Sequence, residues 1–260
     1  MNDRGISKLI SKMLETAHTD ENVFPPTTLY KEGWMLRIIL QIQSEGINCL
    51  PFSFLPGASW YSEALIGSPF LKRPACKRDA LYEKHTHLDA SVGHFDIRPG
   101  TKTGIELRAD STQFVAIEAK MFSTLSKGVT HDPEYDQAAR IVACIAWAIS
   151  ISNRSVNDFD SLGFCVIAPL EQINRGVFSS QVNVNSIREK VERRIDAYSE
   201  DNEKHAELLI WYRDFFLQTL ERIDLRCFPW ELVIDKINDP NVREFYDRCL
   251  RFNARAEEVR

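Results

Sequence analysis

The sequence predicts an α/β fold, in which a central mixed sheet forms the middle of a three-layer α/β/α domain. Short segments that alternate or run apolar, separated by turns, fill residues 86–121, and this pattern is typical of antiparallel strands. A long apolar helix is predicted next, at 132–152, and a buried strand follows at 161–169. Further helices are predicted before and after these elements. The whole order fits a sheet with helices on both faces.

The N-terminal part is predicted to be helical. Residues 1–26 are expected to form a short helix and then a loop that ends in a Pro-Pro pair. Residues 27–45 are predicted to form an amphipathic helix with a threonine cap and an apolar stripe that includes Trp34. Residues 59–70 are predicted to be a second, shorter helix, ended by a glycine and a proline.

Three strands and a helix are predicted in the middle of the chain. The strands are THLDASVGHFDI (86–97), TGIELRA (103–109) and QFVAIEAKM (113–121). The helix at 132–152 has Asp132 as its expected cap, and its apolar residues cover most of its circumference, so it should be buried.

The C-terminal part is predicted to contain only helices. The first is a charged helix capped by Asn185 and ending near residue 198. A long amphipathic helix follows at 203–223, then a short helix at 230–237 and a last helix at 239–254.

Composition narrows the class of protein. The 260 residues have a formal net charge of −5, which argues against a strongly basic nucleic-acid coat but allows a local basic groove. The six cysteines are scattered with no C-x-x-C pair, which is typical of reduced thiols in a cytoplasmic protein. No signal peptide and no membrane span are expected, because no apolar run approaches the ~18 residues that a span requires.

The strongest chemical signal is the segment IEAK, residues 117–120. Alternate residues of a strand point to the same face, so Glu118 and Lys120 share one face, and Ile117 and Ala119 share the other. A carboxylate and an ammonium group are costly to bury on an otherwise apolar strand unless they have partners or a purpose.

The context of this segment resembles the PD-(D/E)xK nuclease superfamily, which includes the restriction endonucleases. An apolar strand with E-x-K follows strands that bear aspartates, and a buried helix and another strand come after it. The resemblance covers about residues 60–168 and follows the family's αβββαβ core. The segment EAKMFSTLSKG followed by YDQAAR is similar to branches with an E-A-K strand, a serine-rich loop and a helix bearing Gln and Arg. The family's proline is absent, since Leu88 precedes Asp89 and Phe95 precedes Asp96.

The resemblance implies a hydrolase that cuts phosphodiester bonds, a nuclease of the restriction-endonuclease type, with Mg²⁺ or Mn²⁺ as cofactor. DNA is favoured over RNA as the substrate, and the sequence leaves both this choice and endonuclease versus exonuclease cutting open. An aspartate and Glu118 would bind the metal, which polarises the scissile phosphate and helps to generate hydroxide. Lys120 would position the attacking water. It also implies three segments, which are expected to form one domain: an N-terminal helical part (1–58), a nuclease-like core (59–170) and a helical extension (171–260).

Two aspartates remain as candidates for the first metal ligand. Asp110 is excluded, because eight extended residues would place it ~26 Å from Glu118. If the strand 86–97 returns as a long hairpin, Asp89 lies near Glu118, whereas a strict meander would bring Asp96 closer. We favour Asp89 and keep Asp96 as the alternative.

Further residues are predicted to border this site. Glu63 is the candidate for a third acid from the preceding helix, with Glu32 on the longer helix as its substitute. Gln137 and Arg140 lie three residues apart on one helix face. In the resemblance, such residues line the site and hold phosphate or the lysine. His87 is expected beside Asp89.

Two other functions compete with this one. The chain could be an inactive nuclease-fold scaffold, or a nucleic-acid-binding subunit of a larger complex. A zinc hydrolase using His85 and His87 is the weaker alternative, because the (β/α)₈ barrel of such enzymes takes ~250 residues. His85 and His94 are otherwise expected to be structural or to contact substrate.

Partners are inferred indirectly. No phosphate-binding G-x-x-x-x-G-K-[ST] loop is present in the sequence, so a helicase or ATPase motor would be a separate partner. Cutting both strands of a duplex would favour a homodimer. Genome defence or DNA repair is an expectation from the resemblance alone.

Overall fold

The computed structural model describes residues 11–16, 26–72 and 79–257. Its main sheet has five strands in the order β1-β2-β5-β6-β7, and a separate hairpin pairs β3 with β4. The first three strands of the main sheet are antiparallel and the last three are parallel, so the sheet is mixed. The strands are β1 Ser59–Ile66, β2 Thr86–Gly93, β3 Phe95–Ile97, β4 Ile105–Leu107, β5 Gln113–Ala119, β6 Ser161–Ala168 and β7 Asp224–Pro229.

Helices cover both faces of this sheet. Residues 11–16 are also helical, and short helical turns occur at Pro26–Leu29 and Val156–Asp158. A π-helical turn, Tyr212–Phe216, joins α5 to α6. The helices are α1 Glu32–Ser44, α2 Gln137–Ile151, α3 Leu170–Asn174, α4 Val184–Asp196, α5 Asn202–Trp211, α6 Leu217–Arg222, α7 Trp230–Ile237 and α8 Pro240–Glu257.

The two faces of the sheet bury two separate hydrophobic clusters. On β5, Phe114 and Ala116 belong to the cluster beneath α2, α4 and α5. Val115 and Ile117 alternate with them and belong to the cluster beneath α1, α7 and α8. The predicted three-layer α/β/α architecture with a mixed sheet is therefore confirmed.

The prediction of a helix at 59–70 is wrong, because residues 59–66 form strand β1. The strand pairs antiparallel with β2 from Ser59↔Gly93 to Ile66↔Thr86. Trp60 and Tyr61 are residue types that favour strands, and pairing along a neighbouring strand outweighs a weak local helical pattern. The helix that precedes the strands is therefore α1, and the main-sheet elements follow the chain order α1-β1-β2-β5-α2-β6. The predicted strand at 103–109 instead lies in the separate hairpin as β4.

The prediction that the C-terminal segment contains only helices is wrong. Strand β7 lies in it and extends the sheet by pairing parallel with β6, from Gly163↔Asp224 to Ala168↔Pro229. The strand is short and lies at the edge, where charged residues such as Arg226 and a terminal proline are common. These residues hid the strand from a search for apolar alternation.

Helix starts were predicted less well than helix interiors. Helix α2 begins at Gln137, and its cap is Asp136, which accepts the Ala139 N–H at 3.0 Å. Asp132, the predicted cap, instead accepts the N–H groups of Glu134 and Tyr135 in the preceding turn. The structure confirms that α2 is buried.

Two other helix starts also differ from the prediction. Asn183, rather than Asn185, caps α4 by accepting the N–H groups of Asn185 and Ser186. Helix α1 begins at Glu32, with no side-chain cap, and Trp34 is 44% exposed instead of lying in the apolar stripe. By contrast, α7 occupies the predicted residues 230–237.

The predicted strand 86–97 is broken in the structure at Gly93 and His94. Gly93 has φ +149°, and a Cβ at this position would lie 2.1 Å from the Gln113 carbonyl oxygen, so only glycine fits. The His94 ring is buried, with Nδ1 accepting the N–H groups of Thr112 and Gln113 and Nε2 donating to the Pro56 carbonyl. His94 is therefore structural, and β3 leaves the main sheet at this point.

The cysteines and the helix lengths can also be read from the described residues. The five described cysteines are all free thiols: Cys49, Cys144, Cys165, Cys227 and Cys249. None of the described helices is long and apolar enough to cross a bilayer.

Candidate active site

Asp89 and Glu118 lie beside each other on neighbouring strands. The β2–β5 pairing runs from Gly93↔Phe114 to Ala90↔Ile117 and ends one residue before Asp89 and Glu118, so both carboxylates lie where this pairing stops. Asp89 Oδ2 accepts the backbone N–H of Ala119 at 2.8 Å. The end of β5 therefore fixes the position of the Asp89 carboxylate, although the Asp89 side chain is 32% exposed.

Lys120 joins these two carboxylates. Its Nζ lies 2.9 Å from Glu118 Oε2 and 3.7 Å from Asp89 Oδ2. The Lys120 backbone is held from both sides, since its N–H donates to the Ile167 carbonyl and its carbonyl accepts the Trp230 indole N–H at 2.9 Å. Strand β6 and helix α7 thus keep the lysine beside the carboxylates.

Gln137, the first residue of α2, also contacts Glu118. Its Nε2 donates to Glu118 Oε2 at 2.6 Å. Its Oε1 accepts the Ser126 N–H and its own N–H donates to the Ser126 carbonyl, both at 3.0 Å. The amide orientation is therefore set by the loop that follows β5, and Glu118 Oε2 has two donors.

The other oxygen of Glu118 is exceptional. The side chain is 1% exposed, and Oε1 is buried without a hydrogen-bond partner among the described residues. Burial, reinforced by the negative charge of Asp89, raises the pKa of Glu118 to about 8. Because Oε2 accepts both donors, a proton on Glu118 belongs on Oε1.

Lys120 has the opposite balance of effects. Burial favours the neutral amine, but the charges of Glu118 and Asp89 outweigh burial, with a smaller contribution from Glu32, and hold the Lys120 pKa above its ordinary value. Lys120 is therefore an ammonium ion at neutral pH.

The carboxylate pair fits a hard divalent cation, which the resemblance implies. Glu118 Oε1 is a buried carboxylate oxygen without a donor, and a second carboxylate lies next to it. A cation that replaced the proton on Glu118 would give this oxygen a partner. Within the described part of the chain, no group of three or more His, Cys, Asp or Glu side chains could hold a metal ion. Asp89 and Glu118 would therefore be the protein's only carboxylate ligands in that part, and Mg²⁺ commonly keeps several waters in such sites.

The structure changes the account of the third acid. Glu63 lies on β1 rather than on a helix, at φ +56°, between residues paired with Leu88 and Ala90 and so level with Asp89. Its carboxylate is 56% exposed and pairs with Arg37 at 3.2 Å rather than with Lys120. Glu32, at the first turn of α1, is the helix acid whose charge reaches Lys120.

The remaining aspartates lie elsewhere. Asp96 is exposed on β3 opposite Glu106, beyond the Gly93↔Phe114 pair and thus at the far end of β5 from Glu118. Asp110 pairs with Arg108 at 2.9 Å. The structure therefore brings Asp89, not Asp96, to Glu118 and Lys120.

The histidines of the segment 85–97 have separate environments. His85 Nε2 lies 3.0 Å from an Arg98 nitrogen, and burial together with the Arg98 charge lowers the His85 pKa. His87 is exposed on β2, two residues before Asp89. Arg140 does not join Gln137 at Glu118; it lines a separate cavity with His85 and His131.

Three contacts at the site were not predicted from the sequence. Besides Trp230 and Ser126, Gln172 accepts the Phe122 N–H at 3.1 Å and donates to its carbonyl, and Phe122 has φ +71°. Trp230 and Gln172 lie far from IEAK in the chain, so no local spacing indicates their role. The backbone of Lys120 and Phe122 is thus held by residues from two other elements, α7 and α3.

Comparison with protein-family models, with curated proteins and with solved structures finds no match to this chain. The site's geometry is therefore the basis for the function argued below.

Proposed function

We propose that this protein is a metal-dependent nuclease that hydrolyses phosphodiester bonds in DNA, with Mg²⁺ or Mn²⁺ as its cofactor. The observation that supports this proposal is the grouping of Asp89, Glu118 and Lys120 around a buried carboxylate oxygen without a donor. Two carboxylates and an ammonium ion suit a reaction in which a phosphate gains negative charge.

Asp89 and Glu118 would hold the cation, which when bound polarises the phosphate and lowers the pKa of water. Glu118 must release its proton first, since a neutral carboxyl group is a poor ligand. Lys120 is charged, so its role is to orient the attacking water and offset developing negative charge. Gln137 is a positioning residue, because it donates to Glu118 Oε2 and leaves Oε1 as the oxygen without a donor.

The test is cleavage of linear, circular and single-stranded DNA, and of single-stranded RNA, in Mg²⁺, Mn²⁺ or chelator. Asp89→Asn should abolish cleavage, whereas Asp96→Asn, the same change on the separate hairpin, should leave it intact. Cleavage that survives Asp89→Asn or chelation would refute the proposal. Binding without cleavage under every condition would instead support the inactive, nucleic-acid-binding alternative.

Cation affinity should depend on pH. One proton on Glu118, whose neighbours are Asp89, Lys120, Gln137 and Glu32, must be displaced, so the affinity for Mn²⁺ should rise ~10-fold per pH unit up to about 8 and then level off. Calorimetric titration between mildly acidic and alkaline pH measures this dependence. A flat profile in the wild-type protein would contradict the assignment, and Glu118→Gln should lose the dependence.

The same raised pKa affects the protein without metal. The neutral Glu118 contributes stability that is complete below its unfolded pKa of about 4.5 and is lost as pH rises toward about 8. Urea unfolding of wild type and Glu118→Gln should therefore converge at acidic pH and diverge above neutrality, with the variant the more stable there.

Gln137→Ala should slow cleavage ~10-fold. It should also shift the part of the pH–rate profile in which the rate rises with pH to higher pH. The reason is that removing one donor to Glu118 disfavours the ionised carboxylate. A uniform loss of rate with no change in the pH profile would indicate a purely structural role. Gln181→Ala is the matched control, since Gln181 also donates to the Ser126 carbonyl but does not contact Glu118.

A further inference from the structure

A cleft with exposed cations is lined by Arg140, three residues after Gln137 on α2, and by His87, two residues before Asp89 on β2. Two cavities, of about 520 and 590 Å³, share the segment 82–85 as a wall. We call this joint cavity the Tyr82 cleft; Lys72 and Lys84 line one part of it, and Lys84, His131 and Arg140 line the other. The two lysines and the arginine of this cleft contrast with the net charge of −5 for the whole chain.

The acid in the cleft wall, Glu83, pairs directly with Arg194, and its charge also reaches Arg140. Glu83 is buried and accepts from Arg194 Nε at 3.1 Å and from Ser68 Oγ at 3.0 Å. Its backbone N–H donates to the Phe70 carbonyl at 2.8 Å. Glu83 therefore anchors the segment from beneath, while its neighbours Tyr82 and Lys84 are exposed.

One arginine of the wall has an unpaired nitrogen. Arg140 lines one of the two cavities, and its Nε is buried without a hydrogen-bond acceptor among the described residues. A buried guanidinium donor of this kind suits an anionic ligand, and arginine is well matched to phosphate.

Tyr82 adds an aromatic surface to the cations. Its side chain is 37% exposed, lines both cavities and lies 5.4 Å from Lys72 Nζ. A cationic groove with an exposed aromatic ring is the usual platform for a single nucleic-acid strand, whose bases stack while its phosphates meet the cations.

The cleft is close to the carboxylates along two elements. Arg140 follows Gln137 by three residues on α2, a rise of ~4.5 Å. His87, in the same cleft, precedes Asp89 by two residues on β2, or ~6.6 Å.

We infer that the Tyr82 cleft binds a single-stranded nucleic-acid segment beside the carboxylate pair, with Tyr82 stacking on a base and Lys84 and Arg140 contacting backbone phosphates. This inference deepens the proposed nuclease function by naming its substrate as a strand with an unpaired segment. It rests on that function only for the claim that the bound strand is cleaved.

The test is fluorescence anisotropy with a short labelled single-stranded DNA, its RNA equivalent and the DNA duplex, in chelator so that no cleavage is required. Tyr82→Ala should weaken single-strand binding ~10-fold, while Tyr82→Phe should stay within about twofold of wild type. Lys84→Ala should weaken binding and reduce the salt slope by ~0.7, the loss of one phosphate contact. Arg140→Gln should act similarly, with thermal melting to show that it is folded.

Lys236→Ala is the matched control, because Lys236 is exposed at a cavity on the opposite face of the sheet. The inference is overturned if Tyr82→Ala and Lys84→Ala bind like this control, if no strand binds, or if duplex binds best without dependence on Tyr82. Tighter DNA or RNA binding that needs both residues supports it and identifies the strand. Because binding is measured without metal, loss of the nuclease proposal would leave this result intact, and active cleavage with insensitive cleft variants would refute the cleft alone.

Discussion

Lys120→Met should lower the single-turnover rate of DNA cleavage by ~10²–10³-fold, with the fold retained. Methionine nearly matches the length and volume of lysine, so it fits the 12% exposed position between β6 and α7. The change removes the only ammonium group within 4 Å of both carboxylates in the described structure. Transition-state charge on the phosphate then lacks a protein cation, whereas Asp89 and Glu118 remain.

Cation binding distinguishes this loss from damage to the metal site. Without Lys120, the Glu118 carboxylate loses its strongest stabilising charge, so its pKa should rise further and Mn²⁺ should bind with a more alkaline midpoint. Lys127→Met, on the same loop but lining a different cavity, should cleave at the wild-type rate. Wild-type cleavage by Lys120→Met would remove the lysine from the mechanism.

Arg194→Met should lower the free energy of unfolding by about 3–5 kcal/mol, which is a large share of the 5–15 kcal/mol typical of domains. Arg194 is fully buried, and its guanidinium lies 5.0 Å from the Phe70 ring and 5.4 Å from the Tyr198 ring. Its loss leaves Glu83 buried without its cation. Urea unfolding at neutral pH measures the effect.

Partial rescue tests the cause. Burial already raises the Glu83 pKa despite the Arg194 charge, so removal of Arg194 should raise it further and Glu83 should take up a proton. The double variant Arg194→Met/Glu83→Gln should therefore recover part of the lost stability. Arg193→Met is the neighbouring control, because Arg193 is 45% exposed in its pairs with Asp132 and Glu134 and should change stability by less than ~1 kcal/mol. Equal losses for the two arginines would contradict the buried-pair explanation.

Lys120 and Arg194 belong to different regions of the protein. Lys120 acts at the carboxylates, whereas Arg194 holds Glu83 and, through it, the segment that presents Tyr82 and Lys84. A weakened Arg194→Met protein that still cleaves DNA would show that the two regions are thermodynamically distinct.

Strong local patterns made parts of the fold predictable. The apolar α2, the buried β6 and the turn chemistry before α8 are each dictated by neighbouring residues, and the structure agrees with them. Residues 59–66 were predicted as a helix and the strand at 224–229 was missed, because each is a half-exposed edge strand whose conformation depends on a partner strand. Local sequence contains no information about that partner.

Local residue patterns were enough to predict the three-layer architecture and the E-x-K pair on one strand face, because both follow from the two-residue period of strands and the apolar pattern of α2. The choice of aspartate depends on the folded chain: β2 ends at Gly93, so Asp96 leaves with the hairpin, and Asp89 stays at the end of β5, where it accepts the Ala119 N–H. Only packing, too, placed Trp230 on Lys120 and Gln137 on Glu118. Burial of Glu118, which sets its raised pKa, is likewise the joint effect of segments distant in the chain.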